Sequence, residues 1–60
     1  MWNVWIQDDA GPVTLVGTFD DQMRAQHFQR GKSTGRPQSL VWCTEQGSAK
    51  DLELEALSDL

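Results

Sequence analysis

Two short runs of alternating residues around a cluster of turn formers constrain this chain more than any other feature. In Trp2-Asn3-Val4-Trp5-Ile6-Gln7, the residues Trp2, Val4 and Ile6 share one side and Trp5 takes the other. That period of two marks a β-strand. Val13-Thr14-Leu15-Val16-Gly17-Thr18-Phe19 repeats the pattern, with Val13, Leu15 and Phe19 on the face of Trp2, Val4 and Ile6, and Val16 opposite. Asp8-Asp9-Ala10-Gly11-Pro12 lies between them and is rich in turn formers. The arrangement predicts a β-hairpin. Pro12 has no N–H to give a ladder, so it belongs at the turn or the strand edge.

A helix follows. Thr18 with Asp21 three residues later approximates a capping box, and Asp20 is the rival N-cap. Both choices put acids in the first turn, where the helix dipole favours them. The spacing predicts a helix from about Asp21 to Arg30, stopped by Gly31. Gly31-Lys32-Ser33-Thr34-Gly35-Arg36-Pro37-Gln38 reads as a loop. Ser39-Leu40-Val41-Trp42-Cys43-Thr44-Glu45 reads as a third strand. In the last ten residues Leu54, Leu57 and Leu60 fit one helical stripe, with Ser48 or Asp51 as the cap.

The expected fold is α+β: a ββαβ module with a three-stranded antiparallel-type sheet, one helix across a face, and a short acidic C-terminal helix. It forms one domain over residues 1–60, divided into a core (1–48) and an acidic segment (49–60). One helix covers one face only. The other face holds Trp5 and Val16, and the third strand is apolar on both sides through Leu40, Trp42, Val41 and Cys43; that second face is covered by the C-terminal segment or exposed as an aromatic patch, and such patches mark interfaces.

A 60-residue core is marginal. Cys43 is the only cysteine, so no internal disulfide forms, and Cys43 with His27 is too few ligands for structural zinc. The lone thiol suits a reducing compartment. The start of the chain lacks a basic region and a long apolar stretch, so neither a signal peptide nor a membrane span is expected. A cytosolic protein is the default.

Net charge is −4, which argues against general nucleic-acid affinity. The charges are segregated. Residues 1–23 carry −4 through Asp8, Asp9, Asp20 and Asp21. Residues 24–50 carry +4 through Arg24, Arg30, Lys32, Arg36 and Lys50 against Glu45. Residues 51–60 carry −4 through Asp51, Glu53, Glu55 and Asp59. A dipolar surface results unless the fold interleaves the blocks.

The motifs give little chemistry. Gly31-Lys32-Ser33-Thr34 copies the end of a P-loop, but the earlier glycine is replaced by Gln26 and a helix precedes it where a strand is needed. His27 and Cys43 make no local triad. His27 belongs at the edge of the helix-sheet contact and Cys43 in the core as a small hydrophobe. Asp8-Asp9 and Asp20-Asp21 lack calcium-loop spacing. No enzyme activity, metal or cofactor is expected.

Leu15-Val16-Gly17-Thr18-Phe19-Asp20, followed by Ala25 and Phe28, is similar to the strand-to-helix passage of plant ethylene-response-factor DNA-binding domains. The resemblance covers about fifteen residues and implies a three-stranded sheet with one helix. It departs in strand order, and the first two strands lack the Arg that such domains use on DNA. It implies no function.

The function expected from the sequence is a non-enzymatic protein-binding module. Trp5, Val16, Val41 and Trp42 would supply apolar area, and Asp8, Asp9, Glu53 and Glu55 would steer a basic target. Its size and style suit a phage or mobile-element protein that inhibits or redirects a host protein. The alternative is a phosphate or nucleic-acid binder using Arg24, Arg30, Lys32 and Arg36. A third reading is a structural homodimer.

Overall fold

A computed structural model describes residues 1–35 and 38–58. Arg36 of the basic set, Pro37, and Leu60 of the expected leucine stripe lie outside the described residues. The element order is β1 (Trp2–Asp8), β2 (Val13–Phe19), α1 (Gln22–Ser33), β3 (Ser39–Glu45) and α2 (Ala49–Leu57). This is the expected α+β, ββαβ-type fold with a terminal helix. The sheet runs β2-β1-β3, and β1 pairs antiparallel with both neighbours. Among the described residues no helix is long and apolar enough to cross a membrane.

The hairpin connection is the expected five residues, 8–12, between the paired Gln7 and Val13, and a tight turn forms inside it. The Gly11 N–H donates to the Asp8 carbonyl at 2.8 Å. Asp9 and Ala10 both take positive φ, 48° and 63°. Two central residues of that kind match the twist of paired strands, although Ala10 carries a Cβ there.

The two edge strands differ in register. β3 faces β1 without interruption, from Trp2–Glu45 to Asp8–Ser39. The β1–β2 register shifts: Val4 pairs with Gly17 and Trp5 with Leu15, so Val16 is skipped. A bulge of one residue flips every side chain beyond it. Gly17 and Phe19 therefore share the Val4 face, and Leu15 and Val13 share the Trp5 face. This corrects the expectation that Val13, Leu15 and Phe19 point one way.

α1 packs on the Val4 face. Ala25 is fully buried there, the Phe28 ring meets Phe19 at 5.1 Å between centroids, and Gln29 Nε2 donates to the Val41 carbonyl. A Cβ on Gly17 would come within 3.2 Å of Phe28, so the glycine lets the helix approach. The N-cap is Asp21, whose side chain accepts from the Met23 N–H, rather than Thr18 or Asp20. Thr18 lies in β2 and donates to Asn3 Oδ1. The helix also runs past Gly31, where a Cβ would meet nothing within 4 Å. It stops at Thr34 and then Gly35, whose φ is +72°.

α2 packs on the Trp5 face with Ser48 as its N-cap. The middle of the second sheet face is covered from within the chain, while Leu15 and Leu40 on the same face stay 43% and 57% exposed. Trp5, Val13 and Leu54 form its core, with Trp42 packed alongside.

Candidate functional site

The densest polar arrangement lies between α2 and the sheet. Asn3, Trp5 and Thr44 are neighbours on one face, because Trp5 follows Asn3 by two and Thr44 pairs with Asn3. The Ser48 cap sets α2 so that Asp51, in its first turn, points down at all three. Asp51 Oδ1 accepts from Asn3 Nδ2 at 2.9 Å, Trp5 Nε1 at 3.0 Å and Thr44 Oγ1 at 2.8 Å. Oδ2 accepts from the Gly47 N–H at 3.0 Å. Asp51 is only 2% exposed.

Burial alone would raise the Asp51 pKa. The hydrogen bonds from Gly47, Asn3, Thr44 and Trp5 outweigh it and hold the carboxyl below its ordinary value. A buried carboxylate that accepts on both oxygens ties the first turn of α2 to the sheet. Among the described residues no buried side-chain polar atom lacks a partner, and no cluster of His, Cys, Asp and Glu suits a metal. Cys43 is half-buried beside Val4, and burial pushes its thiol pKa up.

α2 therefore has two sides. Inward it buries Asp51 and Leu54 alone. Outward it leaves Leu52 and Leu57 each 56% exposed, with Glu53 and Glu55 exposed among them. A shallow groove beside it is lined by Leu15, Thr18, Leu52 and Glu55. Lys50 is drawn over the Trp42 ring, 5.7 Å from its centroid, and toward Glu53 at 3.4 Å.

α1 is basic within its own span and acidic at its N-cap, Asp21. Arg24, Arg30 and Lys32 lie within Gln22–Ser33 and no acid does. Met23 is 77% exposed and lines an apolar groove with Phe19, His27 and Phe28, with Asp21 and Arg24 at its rim. His27 is exposed. Lys32 Nζ sits 5.3 Å over the Phe28 ring.

The residues expected to form one aromatic and acidic patch do not converge. Trp5 is buried at 4% exposure beneath α2, because its indole N–H is needed by Asp51. Trp42 is half-buried beside it. Val41 faces the other way, paired with Ile6. Val16 is the bulge residue. Asp8 accepts from the Ser39 hydroxyl, and Asp9 sits in the turn with its N–H on the Gln38 carbonyl. Glu53 and Glu55 belong to one helix but to opposite flanks of it, Glu53 beside Lys50 and Glu55 beside Leu52 and β2. The basic set also spreads out. Arg24 and Arg30 are six positions apart on α1, about 9 Å along its axis, and Lys32 belongs to the helix rather than a glycine-rich loop. Asp51 was the residue that sequence reasoning missed. Its signal was Ser48-x-x-Asp51 spacing beside strands with a polar residue on an aromatic face. Comparison with known proteins finds no matching family model, no similar curated protein and no similar solved structure.

Proposed function

We propose that this chain is a small, non-enzymatic binding module whose outer α2 face docks a basic, apolar segment of another protein. One observation carries the reading: Leu52 and Leu57 stay more than half exposed on a helix whose inward side is fully satisfied. Glu53 and Glu55 flank them. Exposed leucines set among acids favour a target carrying both cations and apolar side chains. The lone Cys43 suits a cytosolic location. Inhibition or redirection of a target would follow from occupying its surface.

The test is a titration of isotope-labelled protein with a synthetic amphipathic helical peptide of leucines and lysines, followed by NMR. Amide shifts should centre on residues 49–57 and on Leu15 and Thr18, and Glu53→Lys/Glu55→Lys should abolish them. Absence of shifts, or shifts that survive the charge reversal, would refute the assignment.

A further inference from the structure

We infer that the open edge of β3 pairs with the same edge of a second copy, so that two chains share one continuous sheet. The surface is apart from the outer side of α2, and the inference does not rest on the docking role of that helix.

The hydrogen-bond pattern shows which backbone groups are open. The Asp9 N–H donates to the Gln38 carbonyl and the Gln46 N–H to the Met1 carbonyl. Both pairs continue the β1–β3 register, and bonded pairs alternate along an antiparallel ladder. The N–H and C=O of Leu40, Trp42 and Thr44 therefore point at β1, and those of Ser39, Val41, Cys43 and Glu45 point outward. Among the described residues, that outward backbone row meets only Gln29 Nε2, at the Val41 carbonyl, and the Ser48 N–H, at the Glu45 carbonyl. The Val41 carbonyl keeps a second lone pair. Proteins blunt such edges with a bulge, a proline or a charge. β2, the other edge strand, has the bulge at Val16. β3 has none of the three before Glu45.

The ground beside this edge is also poor in charge. Gln22, Gln26, Gln29 and Ser33 recur at helical spacing and form one stripe of α1. Gln29 places that stripe on the β3 flank. Arg24 and Lys32 lie on the Phe28 side, and Arg30 lies outward with Met23 and His27. On the α2 side Lys50 is drawn to Glu53 and over Trp42, which leaves Leu40 bare at 57% exposure. Depletion of charge marks the centre of an interface.

A second copy is the occupant because the edge complements itself. Centred on Trp42, an antiparallel copy overlaps all seven residues of β3. Val41 then exchanges bonds with Cys43 of the second copy, and Trp42 faces Trp42 at a non-bonded position, where side chains approach most closely. Glu45 meets Ser39, so no like charges oppose each other across the ladder. Glutamine amides both donate and accept, so the α1 stripe matches its own copy. α1 crosses all three strands and leans toward β3. With strands ~4.8 Å apart, the middles of the two three-stranded halves lie about 14 Å apart, which leaves room for both helices and their glutamines. The two-fold closes the contact at two copies. One short strand and one helix flank fall at or below the ~1,200 Å² low end of specific interfaces, so the dimer is weak and concentration-dependent.

The experiment is sedimentation equilibrium on the full chain, over a roughly hundredfold range reaching about 1 mM to match so small an interface. Amide NMR spectra are recorded over the same range. The average mass should climb from the 6.8 kDa of one chain toward twice that and no further. It should not fall at about 0.5 M salt, because the contact is uncharged. Shifts that move with concentration should centre on the Val41 and Cys43 amides, which gain bonds, and leave residues 49–57 in place. Val41→Pro removes one outward N–H and keeps the ladder to β1. It should weaken association roughly tenfold or more, since the two-fold counts the lost bond twice. Circular dichroism checks its fold; if it unfolds, Leu40→Lys at the exposed edge replaces it and should weaken association as well. The mass of one chain at the highest concentration would overturn the inference. So would association that disappears in salt, that survives the edge substitution unchanged, or whose shifts centre on β2 or α2. The mass of one chain with binding of the leucine-lysine peptide would sink the dimer and leave the docking role of α2 standing. A dimer that ignores the peptide would do the reverse.

Discussion

Replacing Asp51 by Ala should cost a large part of this protein's stability, and the structure allows the size to be worked out. The substitution removes four hydrogen bonds to a carboxylate. The released donors are not equivalent. Trp5 Nε1 keeps Thr44 Oγ1 as an acceptor at 3.1 Å, and the Gly47 N–H belongs to an exposed residue that water can reach. Asn3 Nδ2 is left buried and unpaired, at 6% exposure for the residue. Bonds to a charged group are worth ~1.5–3 kcal/mol each, but neighbours sharing one acceptor do not add, so about 3 kcal/mol is expected. A core of this size supplies only ~3–5 kcal/mol. Asp51→Ala should therefore keep at most about 2 kcal/mol of stability, with α2 the first element to leave the sheet. Asp51→Asn keeps an oxygen toward Asn3, Trp5 and Thr44 but turns an N–H₂ toward the Gly47 N–H. Its cost should be about 1–2 kcal/mol, which lowers Tm by roughly 5–15 °C. Urea and thermal unfolding, read by circular dichroism and tryptophan emission, measure both. Asp51→Ala unfolding within about 0.5 kcal/mol of the parent would refute the reasoning, since surface changes alone scatter that much.

Three further substitutions test the local account. Ala10→Gly relieves a Cβ held at φ 63° and should stabilise by about 0.5–1 kcal/mol in urea unfolding. Gly31→Ala fills open space inside α1 and should stabilise by a similar ~0.5–1 kcal/mol, seen as a raised midpoint in the same assay. Leu54→Ala empties the one large apolar anchor of α2, which is 1% exposed. It should cost about 2–4 kcal/mol and shift tryptophan emission to the red as Trp5 and Trp42 become wet.

The hairpin and third strand were legible because alternation in Trp2–Gln7, and β-forming residues in Val13–Phe19 and Ser39–Glu45, are local signals, and turn formers bounded each run. The facing of β2 was not legible. The bulge at Val16 adjoins Gly17, where Phe19 and Phe28 leave no room for a Cβ, and the only local hint was a glycine inside a strand. The end of α1 misled for a related reason. Two glycines offered a stop, and composition does not say that Gly31 is tolerated while Gly35 takes the positive φ. Trp5 looked like a spare aromatic because alternation assigns faces but not the element that covers them. Covering it depended on Asp51, which as one acid among four in the last ten residues resembled solvated surface.

Asp51 also ties stability to the proposed docking face. Nine residues form α2, and its inward side is one carboxylate and one leucine, so the helix is anchored largely by that charge. The Asp51 carboxyl titrates below its ordinary value in the folded chain. The sign follows: its contribution is complete above the unfolded value of ~3.9 and is lost as pH falls below that, because the unfolded state then takes up the proton first. α1 is held instead by Ala25 and the Phe19–Phe28 contact, which do not titrate. On acidification α2 should open before the hairpin and α1 melt, a local unfolding of the least anchored element. Amide signals of residues 49–57 should therefore collapse toward random-coil positions at higher pH than those of β1 and α1, and binding at α2 should disappear with them. In Asp51→Asn this early acid step should be absent. If all amides collapse together in the parent, or if the step survives in Asp51→Asn, then the carboxylate is not what holds α2 to the sheet.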